Sequence, residues 1–117
     1  MEHLEIAKML LEHGAEANAL TVTKQTPFHK AVMAGSVDIA KVLLDHNAHV
    51  NAMDNELKTP LHYAVEDENR EMIRFLLKNN ANVDIKNKEG SNPLDIAEDY
   101  MYSEDDILEL FREKLIG

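Results

Sequence analysis

Two histidines occupy equivalent places in this chain and are the first residues to consider for chemistry. His29 and His62 lie 33 residues apart, each inside a Thr-Pro-x-His-x-Ala segment. Histidine titrates near neutral pH and binds metals, so it serves in acid–base and metal sites. His13 and His46 form a second pair at the same spacing, with His49 close by. Zinc needs three or four converging ligands. These spacings do not supply a third ligand, so the sequence predicts no metal site.

Acidic side chains are grouped in three short runs, at residues 66–68, 98–99 and 104–106. Acid–base catalysis needs two carboxyl groups that face each other across a pocket and have separated pKa values. These carboxylates are instead sequence neighbours on short helices or at a helix start. The sequence also lacks a glycine-rich phosphate loop and a nucleophile elbow. We therefore predict that the protein is not an enzyme and has no cofactor.

A fixed interval of 33 residues organises the elements that carry these side chains. Three opening segments share it, and they are Thr26–Ala31, Thr59–Ala64 and Asn92–Ala97. Three leucine-rich segments share it as well, without any insertion, and they are Ile6–Leu11, Ile39–Leu44 and Met72–Leu77. A repeat of this length indicates a solenoid, in which each unit packs only on its neighbours.

These segments resemble the ankyrin repeat, whose signature is a Thr-Pro-Leu-His-x-Ala opening followed by a leucine-rich second helix. A matching tail follows three of the second helices, at Gly14–Asn18, Asn47–Asn51 and Asn80–Asp84. The resemblance covers nearly the whole chain. It implies an all-α ankyrin-repeat solenoid of stacked helix-turn-helix units with projecting hairpin loops. In that family the motif histidine ties the threonine hydroxyl to neighbouring backbone, so the resemblance implies a structural role for His29 and His62.

The repeat divides a single domain, residues 1–117, into four units. They are a partial repeat (1–25), two full repeats (26–58 and 59–91) and a C-terminal capping repeat (92–117). The chain opens directly in a second helix, which suggests either a fragment of a longer array or an unusual half-repeat start. The apolar residues Leu4 and Met9 of that helix are expected to be partly exposed, and exposed apolar surface favours self-association.

Cap residues set the expected helix bounds. Thr26, Thr59 and Asn92 suit N-caps, and the proline after each fits the first helical position. This predicts short helices at about 27–34, 60–67 and 93–100. Second helices are expected at about 3–13, 37–46, 70–79 and 104–115, three of them ending in left-handed caps at Gly14, Asn47 and Asn80.

Three residues depart from the family pattern at positions that usually hold glycine. Gly90 follows the pattern shortly before a repeat opening, whereas Lys24 and Leu57 stand at the equivalent places. Glu68 likewise stands where the repeat before it has Gly35. Each of the three costs ~1 kcal/mol if its φ angle is positive.

Composition narrows the class of partner. The chain has no cysteine, hence no disulfide or thiol nucleophile, and it has 22 acidic against 12 basic residues, a net charge of −10. Such a charge repels nucleic acid and attracts basic proteins. No apolar stretch approaches the ~20 residues of a membrane span. We expect no nucleic-acid partner, no membrane insertion, and an intracellular, cytoplasmic location.

The resemblance implies binding through hairpin tips and the exposed face of the first helices. By position, the partner-binding residues at the tips are Val22, Thr23, Gln25, Asn55, Glu56, Lys58, Lys88, Glu89 and Ser91. Those on the inner helices are Met33, Ala34, Glu66, Asp67, Asp99 and Tyr100. The set is apolar in its first third and acidic beyond it. Glu66 and Asp67 are expected in solvent, without obvious cationic neighbours.

The function implied is a non-enzymatic protein–protein interaction scaffold. Its partner is expected to carry a hydrophobic anchor beside a basic stretch. Two other interpretations stay open. The chain could be a regulatory subdomain of a larger enzyme or channel, or it could be a structural spacer whose groove binds nothing.

Overall fold

The computed structural model describes residues 21–99 and 106–116, and this part of the chain contains short helices that alternate with longer ones. They are α1 (Pro27–Met33), α2 (Val37–Asp45), α3 (Pro60–Glu66), α4 (Arg70–Lys78), α5 (Pro93–Asp99) and α6 (Asp106–Ile116). The predicted helices at these places are confirmed, and α1 to α4 each end one residue earlier than predicted. The predicted helix at 3–13, the cap at Gly14 and the residues Leu4, Met9, His13 and Tyr100 lie outside the described residues.

Side chains just before α1, α2 and α5 explain where these helices begin. The Thr26 hydroxyl oxygen accepts the N–H of His29 at 3.1 Å, and Asn92 Oδ1 accepts the N–H of Asp95 at 2.8 Å. Ser36 caps α2 in the same way, through the N–H of Ile39 at 3.2 Å. These bonds satisfy first-turn amides that have no partner inside the helix. The prediction of N-caps is confirmed at Thr26 and Asn92.

The helices form two layers. In one, α3 packs between α1 and α5, and in the other α4 contacts α2 and α6. Each short helix also packs on the longer helix that follows it. Ala31, Ala64 and Ala97 are buried in the short helices, where small side chains let neighbouring helices approach closely. We call α1, α3 and α5 the inner helices and α2, α4 and α6 the outer helices.

Left-handed backbone occurs at the positions that the repeat predicts. Asn47 and Asn80 follow outer helices with φ of 70° and 71°, which confirms them as left-handed caps. Lys24, Leu57 and Glu68 also have positive φ, at 63°, 61° and 55°. Because a Cβ crowds the following carbonyl in this conformation, each of these three costs ~1 kcal/mol relative to an unstrained residue.

Three hairpin tips precede the inner helices, and we name them tip 1 (21–25), tip 2 (54–58) and tip 3 (87–91). In each tip the first N–H donates to the carbonyl of the last residue, at 3.0, 3.0 and 2.9 Å respectively. The predicted projecting hairpins are thereby confirmed.

Neighbouring tips are also joined to each other. The N–H of Asn55 donates to the carbonyl of Thr23 at 3.0 Å, and the N–H of Lys88 donates to the carbonyl of Glu56 at 3.0 Å. The two links occupy equivalent positions of successive tips. They therefore fix the spacing of the tips along the array.

Among the described helices, none has the length and apolar character needed to cross a membrane.

Candidate functional site

We call the three tips, together with the exposed residues on or directly after the inner helices, the tip face. Tip 2 shows how this face is built. Asp54 Oδ1 accepts two backbone N–H groups, from Glu56 at 2.9 Å and from Lys58 at 3.0 Å. A short acidic side chain that closes its own turn in this way fixes the loop without help from the rest of the fold.

The first residues of tip 3 and tip 1 also close their own tips by accepting backbone N–H groups. Asn87 Oδ1 accepts the N–H groups of Glu89 at 2.9 Å and Ser91 at 3.1 Å. In tip 1, Thr21 Oγ1 accepts the N–H of Gln25 at 3.1 Å. The sequence analysis did not identify Thr21, Asp54 and Asn87 as the residues that close the tips. Their signal is a Thr, Asp or Asn at the 33-residue interval, since all three residue types favour such turns.

A buried polar network lies beneath tip 2. Asp54 is 5% exposed, and its Oδ2 accepts a short hydrogen bond from the Tyr63 hydroxyl. Gln25 Nε2 reaches both partners, the Tyr63 hydroxyl oxygen at 3.2 Å and Asp54 Oδ2 at 3.4 Å. The network thus joins tip 1, tip 2 and α3.

Hydrogen bonding controls the ionisation of this network. Burial alone raises the pKa of Asp54, but the bonds from Tyr63 and from the N–H groups of Lys58 and Glu56 outweigh burial, so its pKa lies below the ordinary 3.8. Burial, together with the bond to Asp54, raises the pKa of Tyr63 well above the ordinary 10.0. Asp54 is therefore a carboxylate at neutral pH, and Tyr63 keeps its proton as the donor.

One predicted feature of the acidic surface is wrong. Glu66 was expected in solvent without a cationic neighbour, but it is half-buried and pairs with Lys58 Nζ at 3.2 Å. Lys58 Nζ also lies 5.2 Å from the centroid of the Tyr63 ring. Burial lowers the pKa of Lys58, whereas its bond to Glu66 raises it, and the net result is a raised pKa. Lys58 ends tip 2 and Glu66 is the last residue of α3, so the pair extends along α3, which sequence spacing did not reveal.

The motif histidines are structural, as predicted. Thr59 Oγ1 and His62 Nδ1 are 2.9 Å apart, and the equivalent Thr26–His29 distance is 3.1 Å. Each Nδ1 also accepts the threonine's own N–H, at 2.9 Å for His62 and 3.2 Å for His29. An Nδ1 that accepts an N–H carries no proton, so the proton is on Nε2.

Each Nε2–H reaches across to the end of a tip. His29 donates to the carbonyl of Lys58 at 2.9 Å, and His62 donates to the carbonyl of Ser91 at 3.2 Å. Each imidazole therefore joins its own helix start to the tip of the next repeat. Burial lowers the pKa of both rings below the ordinary 6.5, although the carbonyl bonds partly offset it. Both histidines are neutral at physiological pH.

The predicted partner-binding residues differ in how accessible they are. Those with exposed side chains are Val22, Thr23, Met33, Ala34, Asn55, Glu56, Asp67, Lys88 and Glu89. Gln25, Lys58, Glu66 and Ser91 are half-buried, and the first three use their side chains in bonds within the chain. Asp99 is the last residue of α5. Its side chain and all of Tyr100 lie outside the described residues.

Exposed large apolar side chains are found towards tip 1, whereas exposed acidic side chains begin at Glu56, next to Leu57, and continue towards α5. The exposed large apolar residues of the described chain lie in tip 1, in or beside tip 2, or on α1, and they are Val22, Met33, Met53 and Leu57. Exposed acidic residues follow at the ends of α3 and α5, at Asp67, Glu68 and Glu98. This change along the array allows the surface to bind a ligand that has an apolar end and a basic end in one direction only.

Within residues 21–99 and 106–116, no three His, Asp or Glu side chains converge as a metal site requires.

Comparison with protein families identifies a match over most of the chain. The family model described as ankyrin repeats (3 copies) matches residues 1–87 and, overlapping them, residues 52–114. The two matches together extend over residues 1–114, nearly the entire chain. Among curated proteins no match is found.

Proposed function

This chain belongs to the ankyrin-repeat family, and from that membership we propose that it is a non-enzymatic protein–protein interaction scaffold. Ankyrin repeats generally bind other proteins. The tip face is the surface we assign to the partner. The observation that carries the proposal is that nine of the predicted contact residues, all in the tips or on or directly after an inner helix, have exposed side chains.

The chemistry of the face defines the class of partner. Val22, Met33 and Leu57 suit an apolar anchor, while Asp67 and Glu98 suit a basic segment further along the array. A desolvated apolar contact supplies binding energy, and the charges steer the approach and fix its direction. The bonds within the chain at Gln25, Lys58 and Glu66 suit a role in holding the face rigid.

The net charge of −10 favours a basic protein over nucleic acid as the partner. We also propose an intracellular, cytoplasmic location, because a chain without cysteine needs no oxidising compartment.

Charge reversal on the tip face tests the proposal. The double variant Asp67→Lys with Glu98→Lys should capture the partner from a lysate of the source cells about tenfold less than the parent chain does, because steering by the acidic end is removed. Captured proteins are quantified by mass spectrometry. Glu66 is left unchanged, because reversing it would break the pair with Lys58.

A matched control makes the same change in charge on the outer helices. Asp45 and Glu109 are exposed on α2 and α6, and Asp45→Lys with Glu109→Lys should leave capture within about twofold of the parent. Unfolding midpoints verify that both variants are folded. Equal losses in the two double variants, or no protein captured above background, would contradict the proposal.

A further inference from the structure

Leu57 combines backbone strain with an exposed apolar side chain. Its φ is 61°, in the left-handed region, and its side chain is 41% exposed. The equivalent residue of tip 3 is Gly90, with φ of 82°. Glycine adopts this conformation without penalty, whereas leucine is among the residues that adopt it least readily.

The tip leaves Leu57 no means of relaxing. Its N–H donates to the carbonyl of Asp54 at 2.9 Å, and the two bonds accepted by Asp54 Oδ1 hold the residues on either side. The link from Lys88 to the carbonyl of Glu56 adds a further constraint next to it. The conformation is therefore imposed by the hairpin, and the leucine side chain must accept it.

The leucine gains no place in the core in return. Among the described residues, those packed against the core do not include Leu57, and 41% of its surface stays exposed. Backbone strain that brings no stabilising contact within the fold is characteristic of functional sites.

We propose that Leu57 is the apolar anchor through which the tip face holds its partner, an inference that rests on the proposed function. The occupant is a protein segment with an apolar side chain beside lysine or arginine. The apolar part contacts Leu57 and Val22, and the basic part extends toward Asp67 and the acidic end of the face. A second copy of this chain is a poor occupant, because two chains of charge −10 repel each other.

Substitution by glycine separates binding from folding. Leu57→Gly relieves the strain and removes the anchor, so it should raise the thermal unfolding midpoint by about 4 °C. Lys24→Gly is the matched control, since Lys24 has the same conformation at the equivalent place of tip 1. It should raise the midpoint similarly while keeping the anchor. Leu57→Met keeps both the strain and an apolar side chain.

Random peptides displayed on phage serve as the probe, selected on the 117-residue chain. Peptides that the parent enriches should pair an apolar residue with lysine or arginine. Measured by fluorescence anisotropy, they should bind Leu57→Gly at least about tenfold more weakly than the parent, as expected for loss of a central anchor. Lys24→Gly and Leu57→Met should bind within about threefold of the parent.

The outcomes of the peptide selection distinguish the proposed function from the assignment of Leu57 as the apolar anchor. No enrichment on the parent overturns the proposed function and the anchor with it. Enriched peptides that bind Leu57→Gly as tightly as the parent overturn the anchor alone. Light scattering at high protein concentration adds a third outcome, because a dimer that Leu57→Gly dissociates would assign this surface to a second copy and overturn the choice of partner.

Discussion

Replacing Asp54 with alanine should lower the free energy of unfolding by about 3 kcal/mol. The substitution removes the acceptor for two backbone N–H groups of tip 2 and for the side chains of Tyr63 and Gln25. Buried donors left without a partner cost about 1–3 kcal/mol each, and access of water to the opened tip recovers part of that. Urea unfolding followed by circular dichroism measures the loss.

The chain supplies its own control for this experiment. Asn87 holds the equivalent place in tip 3 and accepts its two N–H groups through a neutral amide oxygen. Asp54→Asn should therefore keep the tip closed and lose only about 1 kcal/mol, because the Nδ2 group that replaces Oδ2 is a donor and cannot accept the Tyr63 hydroxyl proton. A loss in Asp54→Asn as large as that in Asp54→Ala would contradict the role given to the two backbone bonds.

Acid should weaken the same network. Because the pKa of Asp54 in the folded chain lies below the ordinary 3.8, the unfolded chain binds the proton more readily. Its contribution to stability is therefore fully present above the ordinary value and is lost as the pH falls through the lower, folded value. In Asp54→Asn this part of the acid sensitivity should be absent.

Replacing His62 with alanine should lower the free energy of unfolding by roughly 3 kcal/mol. The imidazole is fully buried, and its removal leaves the Thr59 N–H and the Ser91 carbonyl without their partner as well as a cavity. His49→Ala, at an exposed histidine, should change the value by less than about 0.5 kcal/mol. A loss at His62 no larger than that at His49 would show that the imidazole does not join the repeats.

The two motif histidines also predict how stability depends on pH. Burial lowers their pKa values below the ordinary 6.5, so just below that pH the unfolded chain binds protons that the folded chain does not. The free energy of unfolding should therefore fall as the pH decreases below 6.5, until the lower, folded pKa is reached. In His62→Gln this decrease should be smaller than in the parent, because only His29 then contributes. An unchanged decrease would contradict the neutral, buried state of His62.

Sequence alone predicted most of the fold, because the signals are local. A threonine or asparagine before a proline sets a helix start, and Asn47 and Asn80 set helix ends, each through bonds within a few residues. The pairing of Thr59 with His62 was equally predictable, since the two lie one helical turn apart. Positive φ at Lys24 and Leu57 followed from alignment with Gly90.

The site was harder to predict, because it depends on contacts between repeats. Tyr63 lies 38 residues from Gln25 and nine from Asp54, and nothing in the repeat pattern indicates that the three converge. Gln25 was consequently assigned to the partner, although it bonds within the chain. The distinction between an exposed Asp67 and a paired Glu66 also required the structure, since the sequence analysis placed both on the exposed side of the inner helix.

The tip face as a protein-binding surface is tested most directly by mapping the contact with the captured protein. Amide chemical shifts of the isotope-labelled chain, recorded as that protein is added, report which residues are affected. Our account predicts changes concentrated in tips 1 to 3 and along the exposed side of α1, α3 and α5, including Leu57 and Asp67. Changes concentrated on α2, α4 and α6, with the tips unaffected, would contradict it.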